Sequence, residues 1–473
     1  MASNMPSDLI IKGFSREMLE ARKVTAFFKV TPILMIALLL LKGFLVFPDD
    51  WDWLAYHLPF ALKHFHLTSF VPLKHLDPYY QGFPPLVHYI QGIFIWTTGS
   101  FTGGAFANLI ALMMLVLAIR ITKLQIDFKF LALLFLGIPH FITHLPSGYI
   151  DFFVACSLAS AFTYTVWLLN VNVNFRNVFI VSMSYLIAMT SKYQTWPFIA
   201  IMSFTVILRI LTSSGKLPGK IMCAALVAIF VGAFPIRNLV QFGNPSHPIA
   251  TPIIGRYMAN QPAPFSRAEL CAQMPPGLCE MSAPGRFFTS AFELTRLLEP
   301  GLLYTVDQGP QRLAQSPHFR IGGWFVGTVL FLLASLLVIF RVVHRSRGEL
   351  GLLAMLVLPL FITPANHELR YWMFVPMTMA ICVAKYFTFL GAKYQKWVFV
   401  GSLLCAVFVC WDLRKNFVIK GFRGPADIAP TEAKDYWLHA SNTQNECIIG
   451  KTPKTIYWAG PTFSEFPVSD CTK

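Results

Sequence analysis

Long apolar runs separated by short polar connections dominate the chain. They start near residues 26, 104, 128, 152, 178, 196, 220, 323, 349, 371 and 397. Each approaches the roughly 20 residues that an α-helix needs to cross a bilayer, though several are shorter. The pattern predicts an all-α polytopic membrane protein of about eleven spans. The stretch 85–98, PLVHYIQGIFIWTT, is shorter and carries His88 and Gln91. It reads as an amphipathic helix lying at the interface. Counted as a span, it would invert the sidedness of everything after it.

The basic residues decide between the two. With 85–98 at the interface and the N-terminus in the cytoplasm, Lys12, Arg16, Arg22 and Lys23 lie inside. So do Arg120, Lys123 and Lys129; Arg176; Arg209, Lys216 and Lys220; Arg341, Arg345 and Arg347; and Lys385, Lys393 and Lys396. Every inner connection is then basic, as the positive-inside rule asks. This also accounts for the net charge of +15 without nucleic acid as a partner. Only 13% of the 473 residues are charged, about half the share of a soluble domain. About 25 polar residues precede the first run, which lacks a small-residue cleavage site, so it reads as an uncleaved signal anchor.

Three regions fall outside: 48–103, 236–322 and the tail 412–473. Residues 1–411 then form a transmembrane domain, and 412–473 a small extracytoplasmic segment. Region 236–322 is dense in Pro and Gly. Cys271 and Cys279 sit in it and Cys447 and Cys471 in the tail, where an oxidising compartment permits bridges. The other five cysteines lie in apolar runs. No internal repeat and no low-complexity tract is visible.

The outer regions hold the candidate chemistry. FPDDWDWLAYHLPF places Asp49, Asp50 and Asp52 directly after the first run. The plainer reading is a solvated loop, or an N-cap for the helix starting near Trp51. Asp52 asks for more. Asp52 and Tyr56 are four apart and share a helical face, with His57 beside them. HLPSGYIDFF supplies a second acid, Asp151, where the third span returns to the fourth. Alone it is a helix cap. Paired with Asp52 it could serve acid–base work or bind a divalent cation, Mg or Mn. Cations follow: Lys192 in TSKYQTWPF, Arg237 and His247 in PIRNLVQFGNPSHPI, and His367 and Arg370 in TPANHELRYW. Region 236–322 contains Arg237, Arg256, Arg267, Arg286, Arg296, Arg312 and Arg320 but no lysine. Arginine's planar fork suits phosphate. Snorkelling to lipid headgroups is the rival explanation for any one of them. Arg237 and Arg370 stand out because each flanks a span beside a Pro-rich outer loop.

In order and placement these segments resemble the GT-C superfamily of polyprenyl-phosphate-sugar-dependent glycosyltransferases. That group includes protein O-mannosyltransferases, lipid A aminoarabinose transferases and oligosaccharyltransferases. DWLAYHLPFA is similar to the family's first-loop acid segment, and GFPPLVHYIQGIF to its Pro-Pro-Leu lead-in to an interfacial helix. SGYIDFFVACSLA with TSKYQ resembles the second-loop acid and a later lysine. RNLVQFGNPSHPI and ELRYWMFVPM resemble segments of bacterial members. The resemblance covers roughly residues 25–390 and implies a GT-C-type helix bundle. It implies Asp52 as general base, with Asp49 or Asp50 as rivals, and Asp151 as the second acid. Lys192, Arg237 and Arg370 would meet the donor's phosphate. Tyr56, His57, His247, Arg256 and His367 are further candidates for substrate contact.

The function implied is sugar transfer from a polyprenyl-phosphate donor to an acceptor hydroxyl, inverting. The acceptor would be a lipid, a polysaccharide or a protein. The setting is the periplasmic face of a bacterial inner membrane. A soluble nucleotide donor fits poorly, because FTGGAF lacks the lysine and the strand of a phosphate-binding loop. Two other functions compete. A transporter or flippase of lipid-linked glycans would favour mid-span ionisable residues and related halves. A glycan ligase or polymerase would use outer arginines without the first-loop acid.

Overall fold

The computed structural model describes residues 30–46, 52–67, 77–100, 102–248, 278–292, 302–305, 309–312, 326–361 and 368–419. Helices occupy each apolar run. In chain order they are α1 (Val30–Leu45), a π-turn (Trp53–His57) running into α2 (Leu58–His64), α3 (Asp77–Gly82), α4 (Leu86–Thr98), α5 (Gly103–Ile121), α6 (Phe128–Leu136), α7 (Pro139–His144), α8 (Asp151–Asn170) and α9 (Phe175–Met189). Then come α10 (Trp196–Thr212), α11 (Leu217–Phe242), α12 (Ala283–Ala291), α13 (Val326–Val342), α14 (Arg347–Val357), α15 (Phe374–Tyr386) and α16 (Ala392–Asp412). Among the described residues the only sheet is an antiparallel pair, β1 (Leu302–Thr305) with β2 (Gly309–Arg312).

This is a helical membrane protein. Among the described residues, six helical segments are long and apolar enough to cross a bilayer: 103–121, 151–170, 193–212, 217–242, 369–389 and 392–412. The apolar helices at 30–45, 175–189 and 327–342 are shorter. Leu34, Phe204, Val240, Leu337, Leu404 and Trp411 are among the large apolar side chains on the outside. Large apolar surface of this kind suits lipid rather than water.

Local chemistry sets many helix ends. Asp127 Oδ1 accepts from Lys129 N at 2.9 Å and caps α6, and Asn174 Oδ1 accepts from Asn177 N at 2.9 Å and caps α9. Gly99 and Gly243, both at φ 69°, close α4 and α11 in the left-handed region that glycine tolerates. The apolar run that begins near 128 is interrupted. Ile138 is extended ahead of Pro139, so the chain leaves α6 and restarts as α7. The run near 349 ends in a 3₁₀ turn at Leu358–Phe361, which contains Pro359. α4 has 13 residues. At 1.5 Å per residue it rises about 20 Å, short of a bilayer core of roughly 30 Å. One face buries Val87, His88, Gln91 and Ile95, while Tyr89, Ile93 and Trp96 are exposed.

α8 is the central helix, buried along nearly its whole length against α5, α9, α10 and α15. Its Ala155, Ser157, Ala159, Ser160 and Ala161 let neighbouring backbones come close. A Thr165–Tyr185 hydroxyl pair at 2.7 Å ties it to α9. Each serine and threonine here also donates to a carbonyl of its own helix, so no hydroxyl is stranded. α6 and α16 run parallel: Phe130 meets Phe399, and Gly137 lies beside Cys405.

Two glycines bring the first loop onto the bundle. A Cβ on Gly148 would lie 2.5 Å from Trp53 Cδ2, and one on Gly104 would lie 2.5 Å from Gly148 Cα. The fully buried Trp53 therefore rests on the bare 147–148 turn, and Asp52 is carried in beside Asp151.

Several sequence expectations fall outside the described residues: Asp49, Asp50, Arg256, His367, Cys271, Cys447, Cys471 and the tail beyond residue 419. Cys279 is disulfide-bonded, and the five cysteines in apolar runs, Cys156, Cys223, Cys382, Cys405 and Cys410, are free thiols.

Candidate functional site

Four segments that are remote in sequence meet at one end of the bundle. Asp52 opens the π-turn. Asp151 opens α8. Lys192 begins the short 3₁₀ turn between α9 and α10. Arg370 lies in the 3₁₀ turn Leu369–Trp372 that leads into α15. Arg370 Nη1 stands 3.0 Å from Asp52 Oδ2, and its Nε is 4.0 Å from Asp151 Oδ2. Lys192 Nζ donates to Asp151 Oδ1 at 2.5 Å. A third acid, Glu368, places Oε2 3.6 Å from Arg370 Nε. Aromatic faces wall the cluster. Lys192 Nζ sits 4.1 Å from the Tyr371 ring centre, and Arg370 Cζ sits 4.9 Å from that of Tyr149. Arg370 Nη2 also donates to the Tyr371 hydroxyl at 3.2 Å.

The cluster is buried, but its hydrogen bonding is incomplete. Asp151 is 1% exposed and Asp52 7%. Arg370 Nε and Nη1 and Asp151 Oδ2 are buried without a protein hydrogen-bond partner. The Arg370–Asp52 contact is thus a close ion pair whose N–H is not aligned on the oxygen. Buried polar atoms left in this condition cost stability.

The two acids differ. Asp151 is locked onto Lys192 and shielded, which suits it to positioning cations. Asp52 touches a cation through one oxygen at the edge of the first loop. Tyr56 is partly buried beside it. Burial, and then the Asp52 charge, push its phenol well above the ordinary 10.0. Tyr56 therefore stays a neutral hydroxyl that can donate.

His57 belongs to a neighbouring cluster. Its Nδ1 is 2.9 Å from His88 Nε2, and its own Nε2 is buried without a partner. His64 packs at a tilt against Tyr89 and reaches the Tyr80 hydroxyl at 3.3 Å. Burial lowers all three imidazoles. His57 falls well below 6.5, helped by His88; His88 falls to about 3, helped by His64; and His64 falls to about 4, helped by Lys63. All three are neutral at pH 7, so this cluster adds no charge to the site.

Arg237 and His247 are placed elsewhere than with the acids. Arg237 is exposed and donates to Gln81 O at 2.9 Å and Asn238 Oδ1 at 2.7 Å, stacked near Phe234 and Phe242. His247 stacks on Phe242 at 4.2 Å. Its carbonyl and that of Gly82 converge on Tyr193 OH and Asn238 Nδ2. The single phenolic proton serves one carbonyl at a time, and the amide serves the other. Gly82 is required here, because a Cβ would strike the His247 backbone. This junction fixes α3 and the following loop against α11, next to Lys192. A cavity of ≈ 210 Å³ between α5, α8 and α9 is lined by none of the charged residues.

A divalent metal bridging Asp52 and Asp151 does not match this donor set. The Arg370 guanidinium lies beside both carboxylates, and Lys192 already holds Asp151. Among the described residues no group of three or more His, Cys, Asp or Glu side chains could hold a metal ion. No step below is routed through one.

The sequence names Asp52, Asp151, Lys192 and Arg370, and the structure unites them. It does not single out Glu368, Tyr149 or Tyr371. The available signal was Glu368 two residues before Arg370 in HELRYW, an opposite charge in the same outer turn. No protein-family profile, curated protein or solved structure matches the chain.

Proposed function

We propose that the protein is an integral membrane glycosyltransferase of GT-C type that takes its sugar from a polyprenyl-phosphate donor. One observation carries the reading: Asp52 lies 3.0 Å from Arg370, beside the Asp151–Lys192 pair, at the edge of the bundle. A base and cations within a few ångströms of one another are what glycosyl transfer from a lipid phosphate needs.

In this reading the donor enters sideways from the bilayer, and its phosphate meets Arg370 and Lys192. Asp52 accepts the proton of an acceptor hydroxyl as that oxygen bonds to the anomeric carbon. The bond from the anomeric carbon to the phosphate oxygen breaks, and its electron pair leaves on polyprenyl phosphate. Arg370 and Lys192 lie where that negative charge develops. A single displacement inverts the anomeric centre. Asp151 holds both cations in place, and Tyr56 can donate to a sugar oxygen. Arg237, fixed by neutral carbonyls, is a second phosphate contact nearer the surface.

The topology in this reading has about eleven spans, counting the short and broken helices, with the N-terminus inside. Its support is the separation of charges. The end opposite the site carries Arg209 on Val171 O, Lys220 on Leu211 O and Lys385 on Glu349. Arg120, Arg176, Arg347, Lys393 and Lys396 belong to the same connections. The bonded Cys279, in the large loop on the site's side, fits an oxidising compartment. The site then faces the periplasm of a bacterial inner membrane. Residues 1–411 are the catalytic domain, with 412–473 as a small appended segment.

The test is incubation of the purified protein with radiolabelled polyprenyl-phosphate sugars and candidate acceptors, followed by mass spectrometry of the product. A new glycosidic bond of inverted configuration is expected. Movement of sugar lipid across vesicles with no new bond would replace this reading with a transporter.

A further inference from the structure

We propose that Asn108 is a positioning residue for the reaction: its side-chain amide holds the turn after α7, and through that turn it sets the approach of Asp52 to Arg370. The inference rests on the reading of Asp52 as the base.

Asn108 lies in the second turn of α5 and is fully buried. Its Nδ2 points at three backbone carbonyls of one short stretch: His144 O at 3.0 Å, Leu145 O at 3.2 Å and Ser147 O at 3.0 Å. The amide has two hydrogens, so it serves two of these oxygens at a time or divides one hydrogen between two. The opposite flip of the side chain would set its oxygen against all three, so the carbonyls fix its orientation. α7 ends at His144, where helix carbonyls run out of partners in their own helix. Within a membrane bundle such groups need donors from the protein, and Asn108 supplies them from the neighbouring helix.

The same stretch touches the charged cluster at three points. Gly148 seats Trp53, the residue next to Asp52. The Tyr149 ring centre is 4.9 Å from Arg370 Cζ. Asp151, just past the turn, opens α8 and binds Lys192 at 2.5 Å. Gly104 lies one turn before Asn108 on the same face of α5, and a Cβ there would be 2.5 Å from Gly148 Cα. α5 therefore meets the turn twice, by close contact at Gly104 and by hydrogen bonds at Asn108. Contact alone would let the turn slide along the helix; directional bonds do not. Asp52 and Arg370 stand 3.0 Å apart, and a misplacement of about 1 Å can cost about a hundredfold in rate.

The experiment uses the full chain in nanodiscs, as wild type, Asn108→Leu, Asn108→Asp and Thr165→Val. Leucine keeps the volume and donates nothing. Thr165→Val breaks the 2.7 Å hydroxyl pair with Tyr185, far down α8 from the turn, and controls for lost stability. Sugar transfer, donor binding, thermal unfolding and amide hydrogen exchange are measured on each. Asn108→Leu is expected to lower kcat about ten- to hundredfold, with donor binding changed by no more than about twofold. It should also speed exchange in both 144–152 and 52–64. Asn108→Asp, with one O–H donor as the neutral acid, should fall between, and it carries the test if the Leu variant does not fold. Thr165→Val should lower the melting temperature while kcat and the exchange of 52–64 hold. A kcat loss no larger than that of Thr165→Val, or exchange that quickens in 144–152 alone, overturns the positioning role and leaves the glycosyltransferase reading intact. Failure of the wild type to form any glycosidic bond overturns that reading instead, and exchange in 52–64 then still decides whether Asn108 holds the first loop.

Discussion

Replacing Asp52 with Asn keeps the shape of the side chain and removes both its charge and its basicity. The structure separates the two consequences. The Asp52–Arg370 pair is buried, and breaking a buried pair costs about 3–5 kcal/mol when the partner is left alone. Arg370 is not left alone, since Glu368 at 3.6 Å and Asp151 at 4.0 Å remain. The stability loss should therefore be only about 1–2 kcal/mol, below the range for a stranded charge. Catalysis should suffer far more, because a positioned general base contributes about 10²–10⁴-fold. Asp52→Asn is expected to lower kcat by at least about a hundredfold, with donor KM nearly unchanged and the fold intact. Asp52→Glu, with a carboxylate one methylene further out, should recover part of the rate. The assay is label transfer from a polyprenyl-phosphate sugar by purified protein, with donor binding and thermal unfolding measured on the same samples. Full transfer by Asp52→Asn would refute the base role. So would a rate that falls only in proportion to lost donor binding.

Three further outcomes follow from particular contacts. Gly148→Ala puts a Cβ 2.5 Å from Trp53 Cδ2, and overpacking of this kind costs about 1–3 kcal/mol. Because Trp53 adjoins Asp52, transfer should drop more than the melting temperature implies, and unchanged transfer would show that the turn does not place the base. Lys192→Met leaves Asp151 buried with only Arg370 at 4.0 Å, for a loss of about 3–5 kcal/mol. Adding Asp151→Asn should restore most of that stability in thermal unfolding, and no recovery would mean that the pair is not coupled. The lowered values of His64 and His88 imply that the neutral forms favour the fold. Their contribution is present above pH 6.5 and is lost as pH falls toward about 4 and about 3. The melting temperature should decline over that interval, and His88→Gln should flatten the decline; an identical slope in the variant would remove the cluster as its cause.

The apolar pattern alone located the long helices of the bundle, because a membrane span is a local property of about 20 consecutive residues; the short helices α3, α7 and α12 were not legible in it. It also set 85–98 apart as a short apolar segment, and it brought out Asp52, Asp151, Lys192 and Arg370 as polar groups beside apolar runs, where charge is costly and therefore informative. Their pairing was not legible. Asp151 meets Lys192 41 positions away, and Arg370 meets Asp52 from the far side of the sequence. Only the packing of α8 against its neighbours, with Trp53 seated on Gly148, sets those distances. The same packing moved Arg237 and His247 into a separate junction with Tyr193, brought the Arg370 guanidinium between Asp52 and Asp151, and gave Glu368 its place. Periodicity specifies what enters the membrane; which charges then neutralise one another depends on ångström-scale approach between segments that the sequence leaves far apart.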